Sequence, residues 1–166
     1  MLSQQELATN AETQKHIDTV RKYLRMLAVE LLKRGEQHDT TKLGDEERPT
    51  FAEYTSRLKG MTYGSAEYKE CLEAMAPALS HHYAKNRHHP EHFAEGINGM
   101  TLIDLIEMFC DWFSSSERHA DGNILKSIEK NKERFEMSDQ LTQILNNTAE
   151  MFDVSFRRRS EDGTDY

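Results

Sequence analysis

His38 and Asp39, followed by Lys42 in the string HDTTK, set an imidazole and a carboxylate side by side with a cation one turn further on. Imidazole nitrogen and carboxylate oxygen together suit divalent iron, manganese, cobalt, nickel or zinc. More donors follow the same order along the chain. His16 lies upstream, the run HHYAKNRHHPEH places five histidines between His81 and His92, and Asp104, Glu107 and Asp111 follow at spacings of three and four. An aspartate that bridges two ions lets His38 and Asp39 serve both of them. Two ions about 3.5–4 Å apart can hold a hydroxide for attack on phosphorus and stabilise the leaving oxygen. Lys42 would then face the developing phosphate charge. Each signal also has a plain alternative: the His-Asp pair as a helix cap, His16 as a solvated helix residue, the histidine run as a surface cluster, Asp104 as a cap. Asp111 resists such a reading, because it sits between Cys110 and Trp112 in the most apolar segment of the chain.

The elements that must position these residues all read as helices. Asn10 is the expected N-cap of a first helix from about Ala11 to Arg34, with Ile17, Val20, Leu24, Leu27 and Leu31 at helical spacing and Gly35 as its stop. His16 falls at the edge of that stripe. HDTTK occupies a polar stretch from Glu36 to Arg48, and Pro49 opens the next helix, which carries Phe51, Tyr54, Leu58 and Glu53. A Gly-Met-Thr-Tyr-Gly turn leads to a helix from about Ser65 with Tyr68, Leu72, Met75, Leu79 and His82 on one face, kinked or broken by Pro77. That stripe selects His82 as the inward histidine, with Asn86 one turn on, and leaves His81 behind or outside the ligands. A polar loop then carries His88, His89 and His92. Thr101 caps a nearly all-apolar helix in which Asp104, Glu107 and Asp111 share one side. Buried acids are costly without a cation. Two further helices, around Ile128 and Leu145, complete an all-α bundle of about six helices over residues 1–156, and the charged tail 157–166 is expected to be disordered.

Composition narrows the function classes. The chain has 166 residues and a formal net charge of −8, which disfavours duplex nucleic acid as a partner and makes a phosphate-handling site depend on local positive charge or bound metal. No apolar run reaches membrane-spanning length, and the N-terminus lacks a secretory apolar region, so the cytoplasm is the expected location. Cys71 and Cys110 have no metal-ligand spacing and are expected to be reduced core or near-core residues.

The order His, His-Asp, histidine cluster, Asp resembles the HD superfamily of helical metal proteins. Carried over residue by residue, the resemblance implies His16, His38, Asp39 and Asp111 as ligands of one ion, with His82 and a loop histidine (His88 or His89) completing a second site, and Lys42 and Asp39 as catalytic groups. LSHHYAKNRHHP is similar to the histidine-rich element of the HD-GYP phosphodiesterases but lacks its glutamate and glycines, so cyclic-dinucleotide hydrolysis does not follow. The whole chain is similar to uncharacterised small phage and bacterial proteins that share HDxxK, HHxxNxHHPEH and DLIEMxxDW, which places it in a bacterial or phage-infected cytoplasm.

The leading expectation is a metal-dependent phosphohydrolase that acts on a nucleotide or other small phosphoester through a metal-bound hydroxide, with two divalent ions. An HD-type di-iron oxygenase and a non-catalytic, metal-stabilised helical binding protein of phage or host are the alternatives. Glu107 is assigned to hydrogen-bonding a ligating histidine or orienting water. Glu53, Asn86, His92, Asp104 and Arg118 are the expected supporting or substrate-side groups. The expected partner is a small phosphorylated substrate, with no membrane, and a homodimer is the assembly considered.

Overall fold

The computed structural model describes residues 1–59, 61, 65–117 and 122–162, of which 59 and 153–162 are described by their backbone. The fold is all-helical. Among the described residues there are seven α-helices, three short 3-10 turns and no strand. No helix among them is long and apolar enough to cross a membrane.

The chain divides into two compact units, Met1–His38 and Asp39–Tyr166. The first unit is one helix, α1 (Gln4–Gln37). Ser3, not Asn10, caps it: the Ser3 hydroxyl accepts the Glu6 N–H at 3.2 Å while Glu6 accepts the Ser3 N–H at 2.6 Å. This reciprocal box satisfies two orphan donors and outcompetes Asn10, which stays inside the helix. Gly35 does not stop the helix, which runs two residues further. None of its residues is buried, because a single helix has no second element of its own to cover the Ile17–Leu31 stripe.

The second unit holds α2 (Arg48–Lys59), α3 (Ala66–Ala74), α4 (Ala76–Lys85), α5 (Leu102–Glu117), α6 (Ile124–Phe135) and α7 (Asp139–Asp162). The single helix expected from Ser65 is two, α3 and α4, which meet at Met75. Pro77 explains the break: in the first turn of α4 its missing N–H costs nothing, whereas deep inside a continuous helix it would clash. Helix α7 runs from Asp139 through Asp162. Residues 163–166 and most of the Gly-Met-Thr-Tyr-Gly turn lie outside the described residues.

Helices α5, α6 and α7 build the core. Phe109 packs with Ile128, Met137, Leu145 and Ala149, flanked by Trp112, Phe113, Phe135 and Phe152. Each large apolar side chain buried there contributes roughly 1.5–3 kcal/mol. The Trp112 and Phe135 rings lie parallel, with centroids 6.1 Å apart. Cys71 is buried and Cys110 exposed, and both are free thiols. This anchored α5 presents its acidic side to the end of α4 and the loop after it.

Candidate metal centre

The centre is assembled from Asp39, from α4 and its following loop, and from α5. Asp39 takes a left-handed backbone, φ 58°, before the 3-10 turn Thr40–Leu43, a conformation that aspartate tolerates better than most residues. Helix α4 ends at Asn86, whose N–H still reaches the His82 carbonyl at 2.9 Å. Pro90 then forces the residue before it out of helical geometry, and His89 accordingly sits at φ −94°, ψ 127°. Gly96, at φ 55°, and Gly99, whose missing side chain makes room for Phe93, fold the rest of the loop back on itself.

These turns bring Asp39, His82, His88 and His89 together, each offering one donor atom within 4.8 Å of the others. His82 Nε2 lies 2.9 Å from His89 Nε2 and 3.2 Å from Asp39 Oδ1, and His88 Nε2 lies 3.5 Å from that same oxygen. Donors held by one ion at bonds of about 2.0–2.2 Å in tetrahedral or octahedral angles stand about 3–3.5 Å from each other. The observed separations fall in that range, so the residues present fit a divalent metal. Asp111, half-buried on α5, also brings a carboxylate oxygen within 4.8 Å of Asp39.

Behind two of the histidines stands a carboxylate. Glu47, fully buried, places Oε2 2.8 Å from His82 Nδ1 and Oε1 2.8 Å from His81 Nδ1, and accepts the Thr41 hydroxyl at 3.0 Å. Burial alone would push the Glu47 carboxyl up, but hydrogen bonds from His81, Thr41 and His82 outweigh it and hold the group below the usual carboxylate range. An ionised carboxylate can only accept, so His82 carries its proton on Nδ1 and turns the Nε2 lone pair to the cluster. The Asn86 amide donates to the Thr41 hydroxyl and to the His82 carbonyl, both at 2.8 Å. Glu107, buried on α5, lies 3.1 Å from His88 Nδ1 without hydrogen-bond geometry. His89 is kept neutral differently: burial, then His88 and His82, push it from 6.5 down to about 3, against an opposing pull from Asp111 and Asp39. Three imidazoles thus face one carboxylate.

Of the residues expected at the site, His16, exposed on α1, and His38 belong to the first unit, and Glu53, His92 and Asp104 make other contacts within the second. His88 and His89 both join His82 and Asp39, where only one loop histidine was expected beside His82 in a separate group. Glu53 is exposed on α2 and pairs with Arg57 at 3.7 Å, the ordinary outcome for a helix acid with a cation one turn on. His92 donates from Nδ1 to the Tyr83 carbonyl at 2.9 Å and packs on Phe93, so it fixes the loop to α4. Asp104 is fully buried and caps α5, accepting the Thr101 N–H at 2.9 Å and its hydroxyl at 2.7 Å, while Arg87 grips both of its oxygens at 3.1 and 2.9 Å. Arg118 lies outside the described residues. Lys42 reaches Asp39 Oδ2 at 2.5 Å and lies over the Phe51 ring.

Sequence reading missed Glu47, Thr41 and Arg87. For Glu47 the signal was faint, since Glu46 and Glu47 are adjacent acids before Arg48-Pro49 and only their opposite burial separates them. Arg87 had a better one: an arginine among ligating histidines calls for an acid nearby, and Asp104 is a cap with two oxygens to share.

An all-helical unit with a cluster of histidine and carboxylate donors that could hold a metal ion defines the class of protein. The chain belongs to the family of unknown function DUF5662, which matches it over residues 5–151. No curated protein and no solved structure matches it.

Proposed function

We propose that the second unit is a metal-dependent phosphohydrolase acting on a small phosphoester. The observation that supports this reading is the donor set itself: Asp39, His82, His88 and His89 at metal-ligand separations, with Glu47 fixing the His82 ring and Glu107 beside His88. Charge favours two ions. Asp39, Glu47, Glu107 and Asp111 are four acids against the Lys42 cation, so one divalent ion leaves the group net negative and two make it net positive, the sign an anionic phosphoester needs. Bound divalent metal would activate water and neutralise charge on the phosphoryl oxygens.

The chain's own residues supply the rest. His82 holds its Nε2 lone pair toward the centre because Glu47 stands at its Nδ1 atom, and Glu107 stands 3.1 Å from Nδ1 of His88. Asp111 stands on the cleft side of the cluster, where its carboxylate can take the proton of the attacking water. Lys42 holds Asp39 in place and leaves its Oδ1 turned to the histidines.

The test is metal analysis of untagged protein purified without chelator, followed by a phosphate-release screen over nucleotides and simple phosphomonoesters. The expected result is bound divalent metal and phosphate release activated by manganese, cobalt or nickel. Iron with oxygen consumption and no phosphate release would move the protein to the oxygenases. Metal bound without any turnover would make the centre structural.

A further inference from the structure

A cleft of about 730 Å³ opens from the metal centre, with His89 and Asp111 in its wall and helix α6 along its opposite side. From α6 it receives Lys126, Lys130 and Arg134, three cations each four residues apart. Four residues of helix rise about 6 Å, and residues at that spacing share a face, so the three side chains form a row along the cleft. The row has a direction. Arg134 bonds Glu91 at 2.6 Å, two residues past His89, and its neighbour Phe135 stacks on Trp112, the residue after Asp111. Arg134 is therefore at the inner end, and Lys130 and Lys126 lead outward. In a chain of net charge −8, a cationic row beside an acidic metal cluster is against the prevailing field.

We propose that this row is a subsite for the trailing phosphates of the substrate, which makes the substrate class an ester or anhydride carrying two or more contiguous phosphates. The inference rests on the phosphohydrolase reading only for which phosphate is cleaved, the one at the metal. The anion subsite itself stands on α6. Lys130 and Lys126 stand outward of Arg134 along the row, so they carry the selectivity for chain length. Steps of about 6 Å with flexible four-carbon stems let both ammonium groups close on a short polyphosphate. A monophosphate seated at the metal would not reach them.

The experiment is calorimetric titration of orthophosphate, pyrophosphate and tripolyphosphate into untagged, metal-loaded protein and into the double variant K126Q/K130Q, with metal content measured in both. Affinity should rise with chain length in the parent. The double variant should lose about tenfold for tripolyphosphate, the expected combined effect of two partly exposed charge contacts, and stay within about twofold for orthophosphate. Any chelation of metal by polyphosphate is common to both proteins, so their difference isolates the lysines. Equal tripolyphosphate affinity in the two proteins overturns the subsite, whatever the phosphate-release screen gives. The lysine-dependent binding pattern without phosphate release would leave the subsite standing and remove the hydrolase reading instead.

Discussion

Glu47 Oε2 stands 2.8 Å from His82 Nδ1, and both side chains are sealed from solvent. The pair joins the turn before α2 to the last turn of α4, so it fixes the ring that faces Asp39 and His89 and ties two elements together at once. A buried carboxylate facing an imidazole is costly to break, because the partner left behind remains buried with its polar atoms uncompensated.

Glu47→Gln should lower metal affinity by about 10–100-fold, the usual cost of removing the group behind a ligating histidine. The amide keeps the shape but can present its N–H₂ to Nδ1, which favours the wrong tautomer. Competition with a fluorescent metal chelator measures the change. Wild-type affinity in this variant would mean that His82 does not bind through Nε2.

Asp39→Ala should abolish metal binding, whereas Lys42→Ala should keep most of the metal and lower turnover. Lys42 touches the oxygen of Asp39 that faces away from the histidines, so its removal leaves Oδ1 in place. Metal content and phosphate release measured on both variants separate the roles. Equal metal loss in the two would show that the lysine serves only to hold the aspartate.

The legible parts of this chain were those set by periodicity and by residue type. The 3.6-residue spacing of Leu72, Met75, Leu79 and His82 selected the buried histidine over His81, whose side chain is a third exposed. The all-helical class followed from the same periodicity. What stayed hidden depended on where turns aim their residues. Pro90 and the left-handed Asp39 set the directions of His89 and of the aspartate itself, and no helical wheel extends through such turns. Glu47 and Glu53 trade places for a related reason: Glu53 lies on a regular helix where a cation at four residues satisfies it, while Glu47 lies in the irregular turn before that helix.

Asp104→Ala should reduce stability by about 2–3 kcal/mol while leaving metal stoichiometry unchanged. The change removes the cap of α5 and the bidentate partner of Arg87 together, and the half-exposed Arg87 can then turn to water. Urea unfolding followed by circular dichroism gives the stability, and metal analysis the stoichiometry. Loss of metal with stability intact would place Asp104 in the centre instead.

The metal-free protein should lose stability steadily as the pH falls from about 6.5 toward 3. His89 binds its proton in the unfolded chain near 6.5 but in the folded protein only near 3. Between those values the unfolded state holds the extra proton, so stability rises with pH across the window and is lost on acidification. Glu47 acts in the same direction lower down: its folded value is depressed, so its contribution is present above the ordinary carboxylate range and disappears as the pH drops through the folded value. His89→Gln removes the first of these and should flatten the slope between pH 6.5 and 4.5, while the steeper loss at lower pH stays. Urea midpoints collected at half-unit pH steps on the chelator-treated parent and variant measure both, and identical slopes in the upper window would show that His89 is not the group responsible.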